Sequence, residues 1–138
     1  MMALPSGAKE HTLLGSLGLF CINPSDSYTE HTIKVTGKPV LDFFHNEEKH
    51  IRYGEFTTDL FGEKTIEILE TVEKPKFIYL AFNAPHEPAM APEDLIEEMR
   101  KLHPEALDTR LEHLASIYHM DLEIEKIVKS SIARGHHF

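Results

Sequence analysis

The densest chemical signal in this 138-residue chain is the hexapeptide Asn83-Ala84-Pro85-His86-Glu87-Pro88, which sets one imidazole between two prolines. Proline fixes its own φ and restricts the residue before it, so the ring is expected on a stiffened turn. An imidazole there can donate to an anionic oxygen or move a proton near neutral pH. A solvated loop histidine is the competing reading. The chain holds ten histidines, and His45 with Glu48 and His50, or His113 with His119, could be recruited to a metal. Neither set has a recognised ligand spacing, because i and i+4 share a helix face whereas 113 and 119 do not. No metal site and mostly exposed histidines are therefore expected. Glu97-Glu98 and the run Asp121, Glu123, Glu125 resemble paired carboxylates for acid–base work, but they fall on amphipathic helices, where acidic residues usually form the wet face. Phe43 and Phe44 could contact a sugar, although packing of a hairpin onto the domain is the commoner outcome. A lone Cys21 cannot form an internal disulfide.

These side chains need a frame. Phe77-Ile78-Tyr79-Leu80-Ala81-Phe82 runs apolar without alternation between Pro75 and Pro85, which predicts a strand covered on both faces in a parallel sheet. A helix is the alternative. Ligand sites in open α/β sheets lie beyond the carboxyl ends of the strands, so His86, four residues past Phe82, would stand at such a lip. Upstream, Ile66, Leu69 and Val72 recur at helical spacing over 63–72, with Gly62 as N-cap. Downstream, Pro92 opens a helix whose stripe is Leu95, Ile96 and Met99 and which ends at His103-Pro104. A longer helix is expected from Glu105 to about Ser131, carrying Leu107, Leu111, Leu114, Ile117, Tyr118, Ile124, Ile127 and Val128 at steps of three and four. The runs 40–44 and 50–53 predict a small hairpin. Residues 1–38 show neither period and read as loop with room for a short strand, and 135–138 read as a frayed end.

The order hairpin, helix, strand, helix, helix is α/β. It leaves strand 77–82 with too few neighbours, so an incomplete sheet in one domain, 1–138, is expected. The 14 Lys and Arg against 23 Asp and Glu give a net charge of -9, which repels phosphate backbones and argues against nucleic acid as a partner. No run approaches the roughly 18–20 apolar residues of a membrane span, so no membrane association is expected. No secretory signal is visible after Met1, which bears on export only if Met1 is the true start.

The stretch from Lys74 to Pro88, followed by Ala91-Pro92-Glu93, resembles the sulfatase family's strand and loop K-P-x-F-x-Y-L-A-x-x-A-P-H-x-P. Tyr28-x-x-His31, Leu41-Asp42-Phe43 and Phe56 to Phe61 are similar in order and rough spacing to segments of that family's arylsulfatase B branch, and Leu13 to Ser16 adds a weaker match. Arg110 to Val128 resembles the long helix that follows the family's histidine loop. The resemblance covers roughly 13–130. It implies an alkaline-phosphatase-like fold, hydrolysis of sulfate esters by a formylglycine made from the Cys of C-x-P-S-R, and a calcium ion held by Asp-Asp and a later Asp-Asn. It further implies sulfated small molecules or sugars as partners and a lysosomal or secreted location. His86 matches the family histidine that contacts sulfate and helps balance charge on the leaving oxygen.

The other motifs are missing from the chain. Cys21 stands in Cys21-Ile22-Asn23-Pro24-Ser25-Asp26, one residue too far from Pro24 and with Asp26 where Arg belongs, and no Asp-Asp pair occurs. The expectation is a partial sulfatase catalytic domain with an incomplete sheet, a small hairpin and about three helices. Its parent would be a sulfuric ester hydrolase, and the chain alone would be inactive or would act as a non-catalytic anion or sulfated-sugar binder. Calcium has no recognisable ligands in it.

Overall fold

Leu111, Ala115 and the flanking Leu114 and Tyr118 fall on one face of a long helix, and that face organises the molecule. In a computed structural model, which describes residues 19–21, 27–73 and 75–135, there are five short strands and three helices. The strands are β1 (Leu19–Cys21), β2 (Thr32–Val35), β3 (Lys38–Leu41), β4 (Phe43–His45) and β5 (Glu48–Lys49), and the helices α1 (Thr57–Thr71), α2 (Glu93–Leu102) and α3 (Asp108–Ala133). α3 packs against both other helices. Ala91, Met99, Leu111 and Ala115 close one core between α2 and α3, with Leu95 and Ile96 packed on it as the stripe spacing requires. A second core joins Phe43 to Leu60 and Phe61 of α1, flanked by Leu41, Leu80 and Phe82. None of the described helices is long and apolar enough to cross a membrane.

Two antiparallel hairpins stand where one was expected. β4 pairs with β5 across the turn Asn46-Glu47, with Phe44 opposite Lys49, so the return strand comes earlier than 50–53. Asn46 adopts φ +58°, a left-handed conformation that asparagine tolerates, and this allows so tight a turn. β1 adds to the other side of β4, giving the order β1-β4-β5. The other hairpin, β2 with β3, lies partly in the stretch read as loop. Its turn residues Thr36 and Gly37 both have positive φ (51° and 80°), the two-residue geometry that matches strand twist. The match at 13–16 and the ends 1–18 and 136–138 lie outside the described residues.

The reading of 77–82 as a buried parallel strand is corrected. Among the described residues no strand pairs with it, and burial alternates instead of being complete. Phe77 and Tyr79 are 92% and 84% exposed, whereas Leu80 and Phe82 pack on the Phe43 core. Alternation with period two belongs to an extended chain lying with one face on a core. The segment is not helical. α1 also starts six residues earlier than its apolar spacing suggested. Phe56 holds the N-cap position, the Thr57 N–H donates to the Tyr28 carbonyl at 2.9 Å, and Gly62 lies inside the helix. α3 begins at Asp108, three residues late, where Arg100 at the end of α2 bonds its carboxylate at 2.7 Å.

Candidate functional site

The turn after the extended segment is held from below by one phenol. Tyr28 is buried, and its hydroxyl reaches the carbonyls of His86 at 2.9 Å and Asn83 at 3.1 Å, while the His86 N–H closes the turn onto Asn83 at 2.9 Å. The His86 residue is exposed, which fits a ligand contact and a solvated loop histidine alike. Its Nδ1 lies 2.7 Å from the Glu87 carbonyl, which can only accept, so Nδ1 carries the hydrogen and the tautomer is set. Nε2 faces outward with no hydrogen bond among the described residues. Protonated, it donates to an anion; neutral, it offers a lone pair. Glu87 leans toward His113 Nδ1 on α3 at 4.0 Å, which ties the turn loosely to the long helix.

Burial pushes the Tyr28 pKa up to about 12, so the phenol remains a donor at neutral pH. Because that value is raised from 10.0, the associated stability is fully present below about pH 10 and is lost as pH rises toward 12. Tyr28→Phe should lower stability by about 1–2 kcal/mol, since two carbonyls lose their donor. It should also remove the alkaline loss between pH 10 and 12, which urea melts across that range would show. A variant retaining the alkaline limb would mean that another group causes it.

The other predicted histidine sets do not assemble. His45 and His50 approach edge-on at 5.9 Å between ring centres, while Glu48, opposite His45 in the hairpin, is exposed. His113 and His119 meet different partners, Glu87 and Asp59. Phe43 is core, packed on His31 and Phe61, and Phe44 is half-buried. Glu97 pairs with Arg100 and Glu125 with Lys129 on the surface, in keeping with a wet face.

Glu123 departs from that pattern, and so does His119. Glu123 is 1% exposed, because α3 turns this position onto α1, where Gly62 has no side chain to exclude it. His119 is also buried and meets Asp59 of α1, with Nε2 to Oδ1 at 2.8 Å. Lys126, one turn on, bonds Glu123 from the solvent side. Burial holds the Glu123 carboxyl above its usual range. Burial also acts to raise Asp59, but the His119 hydrogen bond with the His119 and Lys126 charges outweighs it and leaves Asp59 below its usual range. The i, i+4 spacing of His119 and Glu123 was the available signal, and a search for His–His spacing passes over it.

A family model described as Sulfatase matches residues 17–130. The chain belongs to the sulfatase family. Mouse arylsulfatase J is 28% identical over 103 residues, covering 72% of this sulfatase chain and 17% of that protein. The chain therefore spans about a sixth of the length of that relative. No solved structure matches it.

The calcium ion that the resemblance implies does not fit what the described residues offer. Ca²⁺ takes six to eight oxygens from flexible loops. Among the described residues one group of three ligand-type side chains converges, Asp59, His119 and Glu123, and it brings two carboxylates and a nitrogen on two helices.

Proposed function

We propose that the turn 83–88 presents His86 to a sulfate group, and that the chain serves an alkaline-phosphatase-like sulfatase domain acting on sulfate esters of the arylsulfatase type. Sulfated glycosaminoglycan sugars are the finer substrate class that the arylsulfatase B resemblance suggests. The observation that carries this is the fixed tautomer of His86. The Glu87 carbonyl holds Nδ1–H, Tyr28 holds the turn, and Nε2 is left to the ligand. Protonated, that nitrogen contributes a charge-assisted hydrogen bond to a sulfate oxygen and shares the negative charge that builds on the leaving oxygen.

Turnover needs more than this imidazole. Sulfate-ester cleavage requires an activated nucleophile and a cation against the developing charge. The Cys21 segment has the wrong spacing for the formylglycine motif. By itself the chain binds the anion and does not hydrolyse the ester, a property shared with a non-catalytic sulfated-sugar module.

Two measurements test this. Purified chain with an aryl sulfate and calcium should show no hydrolysis above buffer. Calorimetry with a sulfated oligosaccharide should give heat that His86→Ala removes. Turnover lost in His86→Ala would refute the inactivity; heat unchanged in that variant would refute the role of His86.

A further inference from the structure

The Asp59, His119 and Glu123 cluster supports an inference that does not depend on how His86 is read. His119 and Glu123 are four residues apart on α3 and so share a face, and Asp59 meets them from the first turn of α1. One ligand atom from each lies within 4.8 Å of the others. Around a cation bound at about 2.0–2.2 Å, tetrahedral ligands stand roughly 3.3–3.6 Å apart, so the set closes with small side-chain adjustments.

Three observations separate this cluster from an ordinary surface ion-pair network. The first is burial: the side chains of His119 and Glu123 are 5% and 1% exposed. The second is an unpartnered buried nitrogen. Nε2 of His119 meets Asp59 Oδ1 at 2.8 Å, and Nδ1 is left buried without a partner among the described residues. The ring is thus only half satisfied by the protein, and as a neutral imidazole it offers a cation one nitrogen lone pair. The third is a lack of positive charge. The one cation bonded to buried Glu123 among the described residues is Lys126, whose side chain is 60% exposed and can swing into solvent. A dication would supply what Lys126 supplies in part. The cradle exists because residue 62 is glycine: a Cβ there would lie 2.1 Å from Glu123 Oε2. Asp59, at 36% exposure, leaves an entry path and a position for water.

We propose that Asp59, His119 and Glu123 form a site for a divalent transition ion such as Zn²⁺, clamping α1 to α3. Two oxygens and one imidazole nitrogen favour Zn²⁺, Mn²⁺ or Co²⁺ over Ca²⁺, which disfavours nitrogen and needs more ligands. The clamp is distinct from the calcium chemistry of the family. It lies in the same stretch of α1 as Thr57, whose N–H bonds Tyr28, so it would also stiffen the seat of the His86 turn.

The full chain, stripped with chelator, is titrated with Zn²⁺ by calorimetry and with Co²⁺ by visible absorption. One equivalent should bind, Co²⁺ should develop the bands of a low-coordinate site, and Tm should rise with Zn²⁺ but not with Ca²⁺. Glu123→Gln and His119→Gln should each weaken Zn²⁺ by more than about 100-fold, exceeding the usual effect of an outer-shell change. Far-UV circular dichroism checks that they remain folded. Lys126→Met removes the competitor and should tighten binding, a result that does not depend on the ligand variants folding. An absent Zn²⁺ signal, an affinity unchanged in folded ligand variants, or no tightening in Lys126→Met would each overturn the site and leave a helix-to-helix ion-pair lock.

Discussion

Phe43→Ala should be among the most damaging substitutions in the chain, costing about 3–5 kcal/mol. Phe43 is fully buried where the small sheet, α1 and the extended segment meet. Its ring lies 4.6 Å from His31, 5.6 Å from His50 and 6.0 Å from Phe61 between ring centres, so truncation opens a cavity that three elements would have to collapse together to fill. Domains of this size have total stabilities of about 5–15 kcal/mol, so the variant should melt many degrees lower and populate unfolded chain at ordinary temperature. Phe77 provides the contrast. It has the same side chain at 92% exposure, and Phe77→Ala should stay within about 0.5 kcal/mol. Urea midpoints for the pair would decide. Equal losses would mean that 77–82 packs on both faces after all.

That comparison also shows what could be read from sequence. Apolar spacing, with Pro92 and His103-Pro104 as bounds, located α2 and α3, because Leu95, Ile96, Met99, Leu111 and Leu114 do pack in one core; but of the α3 stripe Leu107 and Ile124 are exposed, and His119 and Glu123 are buried instead. The resemblance segments Tyr28 to His31, Leu41 to Phe43 and Phe56 to Phe61 turn out to supply all three buried residues of the second core, Phe43, Leu60 and Phe61, and further buried side chains in Tyr28, His31 and Thr57. The likeness of those segments to the family is thus largely a likeness of packing, whereas the Lys74 to Pro88 stretch holds several exposed residues, His86 among them. The start of α1 was hidden because Thr57 and Thr58, β-branched and indifferent helix formers, open it, and because Gly62 imitates a boundary. At 77–82 an unbroken apolar run does not reveal whether one face or two will be covered, and the fold covers one. The burial of Glu123 is hidden in the sequence for a related reason. Its helical phase is clear, but only the fold brings Gly62 opposite it.

Gly62→Val tests that opposition most sharply. A Cβ at 62 would stand 2.1 Å from Glu123 Oε2 and 3.0 Å from its Cδ, and valine adds two more carbons in a stiff rotamer. Glycine in a helix is normally a liability of about 0.5–1 kcal/mol relative to alanine, so a neutral site would gain from substitution. Here the sign should reverse. Glu123 must leave a cradle that buries it to 1% exposure, separating it from Asp59 and Lys126, and α1 must move off α3 if it cannot. Overpacking of this kind costs about 1–3 kcal/mol, and breaking a buried charged pair about 3–5, so a loss of about 3–4 kcal/mol is expected. The double variant Gly62→Ala with Glu123→Ala should recover much of the loss seen in Gly62→Ala alone, because the added methyl then occupies space that the carboxyl vacated. A double-mutant cycle in urea measures that coupling directly. Simple additivity would show that the carboxyl does not lie against residue 62, and the packing of α1 on α3 would have to be redrawn.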